Sequence, residues 1–143
     1  MQVKHILRDK GRDVVSISAD ATLSEAARLL ARKRIGALVV RGSDGSLAGI
    51  LSERDIVRAL AEASVNALAH SVAAHMTRAI ETCNESDSIE DLMEIMTHRR
   101  LRHLPVVEDE TLRGIVSIGD VVKTRIEETV REAASLREYI AAG

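Results

Sequence analysis

Ser52 and Asp55 stand three residues apart, and Ser117 and Asp120 repeat the pair 65 positions later. A carboxylate only accepts hydrogen bonds, so one such group can hold both hydroxyls of a vicinal diol such as ribose. A helix starting at Ser-x-x-Asp also offers free backbone N–H groups, whose partial positive charge favours a phosphate. Each pair sits in the same phrase, Gly49-Ile50-Leu51-Ser52-Glu53-Arg54-Asp55-Ile56 and Gly114-Ile115-Val116-Ser117-Ile118-Gly119-Asp120-Val121. The leading glycine lets backbone approach a ligand closely. The competing reading is structural, because Ser at the N-cap with an acid three residues on is also an ordinary helix cap.

A second polar group lies at Arg102 and His103, immediately before Leu104-Pro105-Val106-Val107 and beside His98, Arg99 and Arg100. Cations here can reach a phosphate; by default they solvate a helix end and complement its dipole. The first half has Gly36-Ala37-Leu38-Val39 at this point, without the basic pair or the proline, so two unequal sites are expected. The sequence contains no Phe or Trp, and Tyr139 is its single Tyr. A bound base would therefore lie between aliphatic residues, such as Val15 and Ile17 with Ile50 and Ile115.

Catalysis and metal binding find little support. No Ser-His-Asp order, Gly-x-Ser-x-Gly elbow or phosphate-binding Gly-x-x-x-x-Gly-Lys loop occurs, and neither Ser52 nor Ser117 has an evident base. His70 and His75 are five apart, which suits neither face spacing of one helix. With Cys83 the single cysteine, no metal site is expected. Cys83 also excludes an internal disulfide framework and fits a reducing compartment.

Positioning the two phrases takes a repeated set of elements. Thr22-Leu23-Ser24-Glu25 is a capping pattern, and Leu23, Ala26, Ala27 and Leu30 recur at helical spacing. Residues 88–96 play the same part 66 positions later. An apolar run follows each helix, Ala37-Leu38-Val39-Val40 or Leu104-Pro105-Val106-Val107. Then come a polar turn and a second strand, at 47–51 or 112–116. The turn Glu108-Asp109-Glu110 is one residue shorter than its counterpart around Gly42-Ser43-Asp44-Gly45, which changes the offset from 66 to 65. Second helices start at Ser52, to about residue 63, and at Ser117.

Upstream, Val14-Val15-Ser16-Ile17 and Ile80-Glu81-Thr82-Cys83 read as short strands, and amphipathic segments at 3–7 and 72–76 precede the units. The Ala-rich stretch 63–71 reads as a helical connector. Residues 127–140 continue as helix, with Val130, Ala133, Ala134, Arg137, Tyr139 and Ile140 available to dock on the same or a second protomer.

A repeat of about 60 residues leaves one sheet face uncovered. The expected fold is therefore α/β (α+β): two pseudo-twofold-related β-α-β-β-α repeats packed sheet to sheet, plus a C-terminal helix. The divisions are repeat 1 at 1–65, repeat 2 at 66–126 and an extension at 127–143. Net charge is −2 with mixed signs, and hydrophobic residues make up 45%. No broad basic face or aromatic platform favours nucleic acid. No apolar stretch approaches the roughly 18 residues of a membrane span, and Lys4, Arg8, Lys10 and Arg12 precede no signal-peptide core.

Over residues 1–126 this pattern resembles a tandem pair of cystathionine-β-synthase (CBS) domains, a Bateman module of the stand-alone bacterial type. The resemblance rests on the duplicated element order, the two Gly-h-h-Ser-x-x-Asp-h phrases, where h is apolar, and Arg102-His103-Leu104-Pro105-Val106-Val107. It implies a cytoplasmic regulatory module without enzymatic activity or catalytic cofactor. Clefts between the repeats would bind an adenine nucleotide, AMP foremost, with ADP, ATP, NAD or S-adenosylmethionine as variants. It also implies a flat homodimer and a regulated partner protein. By motif position, Asp55 and Asp120 would hold ribose hydroxyls, and Ser52 and Ser117 ribose or phosphate. Arg102 and His103, ahead of Pro105, would reach the phosphates; which cleft they serve is open. The alternative is a dimeric structural or interaction adaptor with vestigial, ligand-free clefts.

Overall fold

The computed structural model describes residues 1–142. In chain order the elements are α1 (Val3–Lys10), β1 (Ser16–Ser18), α2 (Leu23–Lys33), β2 (Ala37–Arg41), β3 (Leu47–Ser52) and α3 (Glu53–Ala63). A 3₁₀ turn (Ser64–Ala69) leads to α4 (Val72–His75), α5 (Ile89–Arg99), β4 (His103–Glu108), β5 (Thr111–Ser117) and α6 (Ile118–Ala142). They form two compact units, one of residues 13–81, the other of residues 1–12 with the chain from 82 onward.

Local chemistry explains the helix ends. The Glu25 N–H donates to Thr22 Oγ1 at 3.1 Å and the Thr22 N–H to Glu25 Oε2 at 3.2 Å, so the capping box is closed on both sides. Ser88 accepts the Asp91 N–H at 3.0 Å in the same place on α5. Both helices stop at an arginine in the left-handed region, Arg34 (φ 56°) and Arg100 (φ 53°). That conformation turns the chain and satisfies terminal carbonyls.

In the residue 13–81 unit, β1 runs parallel to β2, which pairs antiparallel with β3. Leu23, Leu30, Leu38, Val40 and Leu51 are buried in its core. The other unit has only two paired strands, β4 and β5, antiparallel. The strand expected over Ile80-Glu81-Thr82-Cys83 reduces to a single parallel bridge between Cys83 and Val106. Pro105 supplies the reason. In the first unit the Val39 N–H donates to the Val15 carbonyl at 3.2 Å, extending the parallel ladder. The equivalent donor to Glu81 would be Pro105, which has no N–H. Pairing begins one step later, with the Cys83 N–H on the Pro105 carbonyl at 3.0 Å and the Val107 N–H on the Cys83 carbonyl at 2.9 Å.

The shorter second turn is a two-residue hairpin loop. Asp109 (φ 49°) and Glu110 (φ 63°) both have positive φ, the geometry that matches the twist of tightly joined strands. Both hairpins shift register at the same repeat position, Val40/Arg41 and Val106/Val107.

The leading segments are exchanged between repeats. α1 belongs in sequence to the first repeat, yet Val3, Ile6 and Leu7 are buried in one core with Leu92, Leu104 and Val116. The Val3 N–H donates to Asp87 O and the Lys4 N–H to Glu85 O, each at 2.9 Å. Its counterpart α4 precedes the second repeat, yet Val72 and Met76 are buried in the core of the residue 13–81 unit. The repeat boundaries and the compact units are thus two different divisions of the chain. No break falls near residue 126, since α6 is one helix of 25 residues, about 37 Å long.

Candidate functional site

Each Ser-x-x-Asp phrase places its serine at the last residue of a strand and its aspartate in the first turn of the next helix. In the residue 13–81 unit, Asp55 Oδ2 accepts from the Ser52 N–H at 2.8 Å and the Ser52 hydroxyl at 3.1 Å. Ser52 Oγ in turn accepts the Asp55 N–H at 3.3 Å. Asp55 is the one buried charged residue among the described residues, with the exposed Arg58 guanidinium 3.5 Å from Oδ1. In the other unit the Ser117 N–H donates to Asp120 Oδ2 at 2.9 Å and the Asp120 N–H to Ser117 Oγ at 3.1 Å. The cap reading is therefore real in both copies. It does not exhaust the carboxylates, because the capping contacts all fall on Oδ2 and each oxygen carries two acceptor positions.

The strand before each helix completes the corner. The Glu53 N–H donates to Gly36 O at 3.0 Å, and the Ile118 N–H to Arg102 O at 2.8 Å. Gly36 and Arg102 are thus structurally equivalent. Cross-strand pairing sets Ala37 opposite Ser52 and His103 opposite Ser117. The structure brings Arg102, His103, Ser117 and Asp120 to one corner: the Arg102 side chain is exposed, His103 half-buried and Pro105 buried in β4. The Ser52–Asp55 corner has only Gly36 and Ala37 in the equivalent places. The two corners thus differ in the residues at these equivalent places.

Val15 and Ile17 are half-buried and pack against the core of the residue 13–81 unit. Ile50 lies on β3, two strands away from Ile17. Its backbone is spoken for: the N–H donates to Thr77 O at 3.0 Å and the carbonyl accepts from the Thr77 N–H at 2.8 Å. The Ile50 N–H is therefore engaged, and its carbonyl keeps one acceptor position.

This constellation decides the family. The CBS-domain model matches residues 3–62 and again 71–127, each match holding one Ser/Asp corner. The chain belongs to the CBS-domain family. The CBS pair is similar to the CBS-domain containing protein ATU1752 from Agrobacterium tumefaciens, with 47% identity, TM-score 0.85, and 87% and 92% of the two chains covered. It is also similar to the CBS domain protein PAE2072 from Pyrobaculum aerophilum complexed with AMP, at 29% identity and TM-score 0.73 over 84% and 89%. The CBS domain pair of protein MJ0100, in complex with 5′-methylthioadenosine and S-adenosyl-L-methionine, shares 26% identity and TM-score 0.79 over 90% and 98%.

Sequence reasoning missed Lys10. Its ammonium lies 2.7 Å from Asp120 Oδ2 and donates to the Ile115 carbonyl at 3.1 Å. Only the exchange of α1 makes this possible, so no spacing in the chain announces it. Burial alone would raise the Asp120 carboxyl; the Lys10 ammonium and the Ser117 hydrogen bonds outweigh it and hold the group below its ordinary 3.8. A depressed carboxyl stabilises the fold above its unfolded value and loses that contribution as pH falls through the folded one. Lys10→Met should therefore cost up to about 1 kcal/mol near pH 7, since the pair is partly exposed. The difference from wild type should shrink as pH falls through the depressed Asp120 carboxyl; urea titrations down the acid limb read it.

The two histidines need a correction. His70 and His75 are stacked, with ring centroids 5.1 Å apart and His70 Nδ1 2.8 Å from His75 Nε2. The spacing argument assumed one continuous helix, but the chain restarts at Ser71, the N-cap of α4. Among the described residues no group of three or more His, Cys, Asp or Glu is placed to hold a metal ion, and no helix is long and apolar enough to cross a membrane. Cys83 is buried, and desolvation with the nearby Asp87 pushes its thiol up to about 12.

Proposed function

We propose that this CBS pair is a regulatory module that binds an adenine nucleotide, AMP foremost with ADP, ATP or NAD as variants, and relays that state to a partner protein. The observation that supports it is the duplicated corner in which a carboxylate caps a helix through Oδ2, so that its Oδ1 carries none of the capping contacts. Similarity to proteins whose structures hold AMP, or 5′-methylthioadenosine and S-adenosyl-L-methionine, points the same way. Asp55 and Asp120 take ribose hydroxyls, with Ser52 and Ser117 beside them. Arg102 and His103 meet phosphate, and Val15 and Ile17 flank the base. The mechanism is differential affinity: ligand favours one arrangement of the molecule over another, and a ligand with equal affinity for both shifts nothing. Chemistry on the ligand is not part of this reading; the module acts as a homodimer in the cytoplasm, a reducing compartment that suits the free thiol of Cys83.

The adaptor reading draws on one observation, the Lys10 ammonium already seated on Asp120. Thermal unfolding against AMP, ADP, ATP, NAD and S-adenosylmethionine separates the two. A ligand at 100 times its Kd stabilises by about 2.7 kcal/mol if it binds only the folded state, a shift of several degrees for a chain of this size. A shift with an adenine nucleotide supports the sensor; none with all five leaves the adaptor.

A further inference from the structure

α6 carries two separate apolar faces. Val121 and Thr124 are buried, and Arg125 reaches Glu90 on α5 and Glu128 on α6, at 3.5 and 3.1 Å. That is the face packed on its own unit. About 100° further round the helix, Val122, Ile126, Thr129, Ala133, Leu136 and Ile140 alternate at spacings of four and three residues. Every one of these is exposed, Ile126 at 58% and Ile140 at 68%. Spacing that alternates three and four is the a/d seam of a two-stranded coiled coil, narrower than the stripe a helix presents to a globular core.

From residue 129 to 142 every side chain is exposed. A helical segment of this length is marginal in water without tertiary support, so this stretch calls for a partner. The flanking charges choose it. With Ile126, Ala133 and Ile140 at a, Glu132 falls at g and Arg137 at e. Two parallel copies in register place Glu132 of each opposite Arg137 of the other, giving two attractive pairs. The antiparallel register that overlaps the same layers sets Glu132 against Glu132 and Lys123 against Arg137, both repulsive.

We infer that the distal half of α6 is a self-association element, pairing with α6 of a second copy of this chain as a parallel, in-register coiled coil. This surface is independent of the nucleotide corners and stands whether or not they bind ligand.

Mild oxidation of full-length Ile140→Cys tests it, with Arg131→Cys on the outward face as the control. Ile140→Cys is expected to give a disulfide-linked dimer in high yield and Arg131→Cys little; buried Cys83 does not compete. Equal yields, or no dimer from Ile140→Cys, would overturn the inference, as would be seen for a dimer held elsewhere on the molecule. Sedimentation equilibrium then reads the charges. Glu132→Arg should weaken association roughly tenfold, from two attractive pairs made repulsive. The double variant Glu132→Arg with Arg137→Glu should restore it. If the single variant leaves association unchanged or strengthens it, the parallel register is wrong.

Discussion

Asp55→Asn is expected to lower AMP affinity about ten- to a hundredfold while the protein stays folded. The change removes charge from the acceptor that would face two ribose hydroxyls, and hydrogen bonds to a charged group contribute roughly 1.5–3 kcal/mol where neutral ones contribute about half as much. Asparagine keeps an oxygen able to accept the Ser52 N–H, now bonded to Oδ2 at 2.8 Å, so the cap survives in weakened form at a cost of about 1 kcal/mol. Asp120→Asn should lose less affinity. The Lys10 ammonium, 2.7 Å from Oδ2, already offsets part of the charge its ligand would meet. Titration calorimetry of the two variants and wild type with AMP reads both losses. Unchanged affinity in both would remove the aspartates from the site and leave them as caps.

Gly49→Ala should destabilise the fold by about 1–3 kcal/mol, and Gly114→Ala by clearly less, although the two glycines open the same phrase. A Cβ on Gly49 would lie 2.7 Å from the Thr77 carbonyl oxygen and 2.8 Å from Met76 Sδ. That carbonyl is fixed by the paired hydrogen bonds between Ile50 and Thr77, so backbone has to move, and overpacking of this kind carries costs in that range. At Gly114 the obstacle is Leu7 Cδ2 at 2.7 Å, the end of a side chain that can turn aside. Urea unfolding of the two variants gives the comparison; equal losses would mean that α1 is held as rigidly on Gly114 as the Ile50–Thr77 pair is on Gly49.

Much of the fold is legible in the chain because it is set by neighbours a few residues away. Thr22 with Glu25 caps α2, Ser88 caps α5, and the period of Leu23, Ala26 and Leu30 aims one face at a core. A loop shortened by one residue explains the change of offset, and two positive-φ residues close it. The duplicated Ser/Asp phrases announced both corners for the same reason, since Ser-x-x-Asp acts within one helical turn. Pro105 shows the limit of such reading. Its missing N–H was visible as a weak strand position, but the strand it curtails, at 80–83, lies 22 residues upstream of it, Cys83 to Pro105.

The sequence by itself determined the repeat, the element order apart from the strand expected at 80–83, the serine and aspartate at each helix start, and the inequality of Gly36-Ala37 and Arg102-His103. Tertiary structure alone decided which helix lies against which phrase. Exchange of α1 and α4 seats Leu7 on Gly114 and Met76 on Gly49, brings Lys10 onto Asp120 across 110 residues, and stacks His70 on His75 at a chain restart. The physical reason is range. Capping and periodicity depend on local geometry that each segment carries with it. The exchanged contacts depend on burying apolar faces against whichever surface accepts them, and glycine positions without a Cβ are the surfaces that do.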